Sequence, residues 1–379
     1  MPNALLSSDR QVAQRILEHL ANGTTDIWPG ETWCEPVANY FEPSRFDAEI
    51  GQVFRPWPVV LCPAAALPEP GSYLAREAAG IPLLVVRGDD GQVRGFRNAC
   101  RHRGMQLAAG EGCARAFSCQ YHGWTYRLDG SLRHIPGELG FPGLDKSLHG
   151  LVPVRVWERH GLIFVSQDGG KDVMPQAALS AIDGLIAPQD RLFRTRVREL
   201  DANWKLFLES FIEGYHIKPA HKDTFFPFGY DNLNLHECFG SNSRVVFPFR
   251  RIEKLKDGFP DPLQLNGLLT DVYQIFPSTI IAVLSHHTTV IVLEPLSASR
   301  TRMLTYSLTR GSGSESEKLS RAEKDADFVD KTGQVEDRDI VCAIQRGLHS
   351  RANDVLSFGK FEGAIIHFHS ALRAALGTD

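Results

Sequence analysis

Residues 203–221 read NWKLFLESFIEGYHIKPAH and bring two histidines, His216 and His221, close to acidic side chains. Trp204, Phe207, Leu208, Phe211, Ile212 and Tyr215 recur at the i, i+3, i+4, i+7 spacing of a buried helix face, which predicts a helix over 203–215. Glu209, Glu213 and His216 fall on another side of that helix, and Pro219 is expected to end it so that His221 approaches from a loop. Two neutral imidazoles close in sequence are what a two-histidine, one-carboxylate iron site needs. A histidine on a helix is more often packed or solvated, so the pair alone leaves both readings open.

A second pattern narrows the choice. Cys100-Arg-His102-Arg-Gly and Cys119-Gln-Tyr-His122-Gly-Trp form C-x-H and C-x2-H separated by sixteen residues. A Rieske cluster takes two thiolates on one iron and two imidazoles on the other, so each loop must offer one of each, and each does. A Cys2His2 zinc site is the competing reading, although zinc loops more often pair Cys with Cys and His with His. With both patterns in hand, the chain resembles the large (alpha) subunit of Rieske non-haem iron oxygenases from about Trp33 to about Leu348.

Around these motifs the composition is that of an ordinary soluble chain. At 379 residues it exceeds one compact core, and a formal net charge of −4 without a long basic run gives no electrostatic footprint for nucleic acid. The start, MPNALLSSDR, lacks the layout of a secretory signal, and no stretch holds eighteen consecutive apolar residues, so a cytoplasmic protein without a membrane partner is expected. Besides Cys100 and Cys119, the scattered Cys34, Cys62, Cys113, Cys238 and Cys342 read as free, buried thiols.

The fold class expected is α+β in three parts. Residues 1–45 form an amino-terminal helix (8–22, capped by Ser or Asp and stopped by Gly23) and an arm packing on the catalytic domain. Residues 46–166 form a small antiparallel β Rieske domain, with hairpin signals at Asp89-Asp90-Gly91, Asp129-Gly130 and Arg159-His160-Gly161. A linker with Gly169, Gly170, Pro175 and Pro188 leads into the catalytic part, 167–379. There the β-branched and aromatic runs 196–200, 236–249, 271–284, 289–294 and 302–309 suit one antiparallel sheet. The resemblance implies the helix-grip arrangement, a sheet with helices packed on it. GSGSESE (311–317) reads as a loop, and 315–331 as a helix with a solvated face.

The third ligand is sought in QVEDRDIVCAIQRGL. At roughly 100° per residue, Asp337 shares a side with Val341, Ile344 and Leu348, while Glu336 and Asp339 point away. The resemblance implies an acidic ligand here, ahead of a Gln-x-Gly-like turn (Gln345-Arg-Gly347), and assigns it to Asp337 with Asp339 as fallback; an Asp capping the helix is the plainer alternative. The resemblance also gives Glu213 the role of an electron-transfer bridge between subunits, linking His122 of one chain to His216 of its neighbour. Most ring-hydroxylating members carry Asp there, and Glu resembles the branch acting on carnitine and glycine betaine. A Glu on a helix surface is the rival reading.

A substrate pocket is expected beside the iron, with Phe225, Phe226, Phe228, Tyr230, His286 and His287 as contact candidates, of which only one of the adjacent histidines can face it. The aromatic run can form a box for a trimethylammonium group, a slot for a ring, or plain core. The resemblance implies a [2Fe-2S] cluster, mononuclear Fe(II) and O2 as co-substrate. No G-x-G-x-x-G fingerprint follows a strand, so electrons must come from a separate NAD(P)H reductase, with or without a ferredoxin. A head-to-tail homotrimer is likewise implied. The function read from the chain is hydroxylation, or demethylation through hydroxylation, of a small organic substrate such as a quaternary ammonium compound. An oxygenase of aromatic rings or acids, a Rieske electron carrier and a zinc-stabilised binding protein are the alternatives.

Overall fold

The computed structural model describes residues 6–168, 179–331 and 333–378. Gly169, Gly170 and Pro175 of the expected linker lie outside the described residues. Two compact units divide the chain: Phe54–Asp172, and a second made of Met1–Val53 with Val173–Asp379. Residues 46–53 thus go with the second unit. Among the described residues no helix is long and apolar enough to cross a membrane.

The first unit is built on a seven-stranded antiparallel sheet in the order Val59–Pro63, Leu162–Ser166, Pro153–Arg159, Val93–Arg97, Ile81–Arg87, Ser72–Ala78, Gly110–Cys113. The hairpin signals at 89–91 and 159–161 fall at its turns. A three-stranded sheet, Phe117–Ser118, Thr125–Tyr126 and Leu132–His134, turns at Asp129-Gly130. Phe96, Leu84, Val86, Phe117, Trp124, Tyr126, Leu128 and Ile135 form one core, and Cys100 and Cys119 are packed into it.

In the second unit seven antiparallel strands run in the order Leu192–Leu200, Arg300–Thr309, His287–Ser297, Thr279–Val283, Leu269–Ile275, Asn242–Pro248, Leu235–Phe239. Two of the predicted runs each split into a hairpin, at Gly240 and at Phe276-Pro277-Ser278, because a positive-φ glycine and a proline interrupt the ladder. Helices Trp204–Phe211, Glu315–Lys331, Gly333–Leu348 and Gly363–Leu376 accompany the sheet. The helix Asp9–Asn22 has the predicted Ser8 cap, closed reciprocally with Gln11, and Gly23 in the left-handed conformation ends it. Its Val12, Ala13 and Ile16 pack with Leu235, Val246 and Ile252.

Several local expectations give way to side-chain chemistry. Ser314 and Glu317 exchange capping hydrogen bonds, so where the expected loop (311–317) and helix (315–331) overlap, Glu315–Glu317 belong to the helix as expected and the loop ends before them. Gln345-Arg-Gly347 continues the helix Gly333–Leu348 instead of turning, and Ile344 on that helix is exposed whereas Val341 and Leu348 are buried. The pairing of Trp33–Pro36 with Val355–Phe358 joins distant pieces of chain that local patterning does not connect. Of the remaining cysteines, Cys62 is buried, Cys238 and Cys342 are half-buried, and Cys34 and Cys113 are exposed; all are free thiols.

The helix Trp204–Phe211 is held at its start by buried polar contacts. Asn203 caps it by accepting from the Lys205 amide (2.9 Å), donates to the Ala298 carbonyl (2.7 Å), and its own amide donates to Gln345 (2.8 Å). Lys205 is fully buried, with its Nζ 2.7 Å from Glu49, which also accepts from Trp204 Nε1 (2.8 Å) and Arg45 (2.8 Å). A buried ion pair adds little net stability, but breaking it strands a charge in the core. Glu49→Ala is expected to cost about 3 kcal/mol or more in urea denaturation, with Glu49→Ala/Lys205→Met recovering part of the loss. A cost below about 0.5 kcal/mol for the single variant would contradict this account of the anchor.

Candidate metal centres and substrate cavity

In the first unit the two ligand-bearing loops repeat one hydrogen-bonding plan. The Cys100 amide donates to the Met105 carbonyl and the Gly104 amide to the Cys100 carbonyl (2.8 and 2.9 Å); Cys119 with Trp124, and Gly123 with Cys119, repeat it at 2.8 Å each. Gly104 and Gly123 have φ of 80° and 72°, the left-handed region that favours glycine, which explains the Gly after each histidine pattern. His102 and His122 lie with ring centroids 4.7 Å apart, and His102 stacks on Trp124 at 5.0 Å. The Tyr126 hydroxyl accepts from the Arg101 amide (2.9 Å) and lies 3.3 Å from Cys100 Sγ. Two free, buried thiols and two adjacent imidazoles on matched loops are a donor set that fits a Rieske cluster.

In the second unit the helix from Trp204 stops at Phe211, four residues before the predicted end. Gly214 approaches Asn234 so closely that a Cβ there would lie 2.4 Å from Asn234 Oδ1, and the Glu213 carboxylate accepts from the Tyr215 and His216 amides, offering a local alternative to the helical ladder. Tyr215 is consequently exposed rather than buried, and Glu209 points into a separate buried cluster with the Tyr40 hydroxyl (2.8 Å) and His369 (2.9 Å). Pro219 does not end the long helix; it sits within the short helix Ile217–Ala220, whose end delivers the buried His221.

The break brings the ligand candidates together. Among the described residues, His216, His221 and Asp337 form a group whose donor atoms all lie within 4.8 Å of one another. Asp337 Oδ1 is 2.9 Å from His221 Nε2 and 3.6 Å from His216 Nε2. The other ring nitrogens are taken: His216 Nδ1 by Glu213, and His221 Nδ1 by Glu336 at 2.7 Å. Glu336, expected to point away, therefore reaches the site, and it also accepts from the Thr224 hydroxyl (2.8 Å). Its helix angle alone hid this, because a long side chain can turn back towards a loop. Asp339 pairs instead with Arg338 at 2.9 Å and is exposed.

Three carboxylates around two imidazoles give the site an appetite for a cation. Burial works against protonated His216, but the hydrogen bonds to Asp337 and Glu213 outweigh it and push it up to about 10. His221 is raised in the same way against burial by Asp337 and Glu336, and Asp337, despite burial, is held below the usual carboxylate range by both histidines. With Nδ1 of each ring tied to a carboxylate, both Nε2 atoms face Asp337, the second-sphere arrangement that suits a metal. The donor set fits mononuclear iron.

A cavity of about 560 Å3 opens beside this group, with His216, His221 and Asp337 in its wall. Phe225, Phe228 and Tyr230 line it, together with Phe328 and Asp325, which the sequence did not single out; Phe226, His286 and His287 are not among the lining residues. His287 is buried and its Nδ1 lies 3.0 Å from Asp325, which also accepts the His286 amide at 2.9 Å. Phe328 stands edge-on to Phe225 and to Phe228, with centroids at 5.7 and 6.1 Å.

Fold and site thus define an oxidoreductase subunit with a cluster-binding unit and an iron-binding unit in one chain. The Rieske [2Fe-2S] domain matches residues 57–144, and the ring-hydroxylating alpha subunit (catalytic domain) matches residues 189–378. The chain belongs to the family of ring-hydroxylating oxygenase alpha subunits, whose members carry a Rieske cluster and mononuclear iron and use O2. It is 29% identical over 340 residues to the carnitine monooxygenase oxygenase subunit of Acinetobacter pittii, covering 85% of this chain and 87% of that one. It shares its fold with a quaternary ammonium Rieske monooxygenase solved with L-carnitine (TM-score 0.75, 24% identity, 92% and 96% covered). Naphthalene 1,2-dioxygenase from Rhodococcus sp. has the same fold (TM-score 0.78, 20% identity, 98% and 99% covered).

Two outcomes follow from the carboxylate–imidazole pairs. Glu336→Gln should weaken iron(II) binding to stripped protein about 10- to 100-fold without unfolding it, as loss of a metal-ligand partner does; an unchanged affinity would mean that the His221 contact is incidental. Because His216 lies at about 10 without metal, it is protonated at neutral pH, so iron(II) added to stripped protein at pH 7 should release at least about one proton, measured by pH-stat. No release would contradict that placement of charge.

Proposed function

We propose that the protein is the terminal oxygenase of a multicomponent system that hydroxylates, or demethylates through hydroxylation, a quaternary ammonium compound. The observation that carries the reading is the convergence of His216, His221 and Asp337 in the wall of an aromatic-lined cavity. His216, His221 and Asp337 hold the mononuclear iron, and Cys100, His102, Cys119 and His122 hold the cluster. When bound, the iron offers open positions for O2 and the cluster supplies electrons one at a time. The remaining work belongs to the chain. Glu213 and Glu336 hold the Nδ1 protons of His216 and His221, keeping Nε2 of each ring free for metal. Phe225 and Phe228 each stand edge-on to Phe328, a surface suited to an N-methylated cation, and Asp325 lies one helical turn before Phe328. The carnitine-acting relative supports this choice of substrate class.

Electrons come from a separate NAD(P)H reductase, with or without a ferredoxin. Glu213 already holds His216 within its own chain, and in a head-to-tail homotrimer it would extend to His122 of the partner subunit. The cytoplasm is the compartment this chemistry suits. The test is reconstitution with a surrogate reductase, NADH and O2, following products by mass for carnitine and glycine betaine against substituted benzoates. An oxygenated or demethylated betaine is expected; peroxide alone with every betaine, while an arene is hydroxylated, would overturn the quaternary ammonium assignment. Glu213→Gln, compared with the wild type at full loading of both metal centres, should lose at least about tenfold in turnover, whereas normal turnover would remove Glu213 from the electron path.

A further inference from the structure

The charged groups lining the cavity do not balance. Its acids, Glu213, Asp325 and Asp337, are each engaged by an imidazole, through His216, through His287, and through both His216 and His221. Its two guanidinium groups, Arg250 and Arg251, form no ion pair among the described residues. Glu253, in the same stretch, is taken up by Lys256 and by the Tyr230 hydroxyl. Arg250 instead lies over the rings of Phe226 and Tyr230 (5.3 and 5.2 Å), and Arg251 over Phe249 (4.8 Å). Long contacts of 3.4 Å to the Phe226 carbonyl and to Ser285 Oγ are their hydrogen bonds to protein. Both residues are exposed at the edge of a cavity that is otherwise largely apolar, where the strands Asn242–Pro248 and Thr279–Val283 end.

An arginine stacked on an aromatic face is oriented but keeps its N–H edges available, and those edges match a carboxylate in the plane of the guanidinium. Two such groups on one cavity wall, neither in an ion pair among the described residues and Arg250 acting on Glu253 only through space, form an anion receptor. We propose that Arg250 and Arg251 bind the carboxylate of the substrate, so that the cavity selects compounds bearing a carboxylate over neutral or purely cationic analogues of the same size. This rests on the reading of the cavity as the substrate site and adds the residues that read the end of the molecule that does not react. Within quaternary ammonium compounds it favours an amino-acid betaine over choline.

The discriminating experiment uses the metal-loaded enzyme with surrogate reductase. Glycine betaine is compared with choline, and benzoate with toluene, in the wild type and in Arg250→Met, Arg251→Met and the double variant, with calorimetric binding of each compound under anaerobic conditions as a second readout. The carboxylated member of a pair should be preferred by the wild type. Each single variant should weaken its binding and raise its KM about 10-fold, and the double variant about 100-fold, with iron content and the visible spectrum unchanged. Arg251→Lys should recover part of the loss. Benzoate turned over in an Arg-dependent way, with both quaternary ammonium compounds inert, would uphold the carboxylate receptor while overturning the proposed substrate class. Equal use of the neutral or cationic member by the wild type, or unchanged KM and affinity in the double variant, would overturn the receptor itself.

Discussion

Two carboxylate–imidazole contacts, Glu213 with His216 and Glu336 with His221, are the constraint from which the catalytic unit takes its meaning. An imidazole with a free choice of tautomer and rotation is a poor metal donor; one whose Nδ1 is tied presents Nε2 in a fixed direction. Both Nε2 atoms face Asp337, and the group lines the cavity. Removing a tether would leave the ligand residues present but loosely aimed.

The surrounding fold makes those contacts possible by being rigid on one side of the site and broken on the other. The helix Trp204–Phe211 is locked by the Asn203–Gln345 and Lys205–Glu49 contacts, so its end is fixed in space. Immediately beyond, Gly214 and the side chain of Glu213 interrupt the helix and allow His216 and His221 to turn towards Asp337. The same turn leads directly to Phe225 and Phe228, so one continuous piece of chain contributes both histidines and two of the aromatic walls. Gln345 ties the helix carrying Asp337 to the start of the helix Trp204–Phe211 that precedes both histidines, which couples the third ligand to the first two.

Much of this was legible in the sequence, for physical reasons that differ from residue to residue. The Cys and His spacings with the glycines behind them could be read because the loops need left-handed backbone at Gly104 and Gly123. The Ser8 cap and the 89–91 hairpin were equally local signals. The break before Gly214 was not legible, since it depends on Asn234, which lies close only in the folded chain, and apolar periodicity carried the predicted helix past its real end. Glu336 has no signature in the helix angles, which describe where a Cα–Cβ bond points and not where a long side chain reaches. Phe328 and Asp325 sit in a charged stretch whose solvated character masked the two residues that face the cavity. The Trp33–Pro36 pairing with Val355–Phe358 spans almost the whole chain and has no local signature.

Metal and sulfide content, compared between the wild type and Asp337→Ala, goes to the heart of this account. The wild type is expected to hold about three irons and two acid-labile sulfides per chain, and the variant about two of each with its visible spectrum intact. Zinc in place of iron and sulfide, or a variant that keeps its full iron complement, would contradict it.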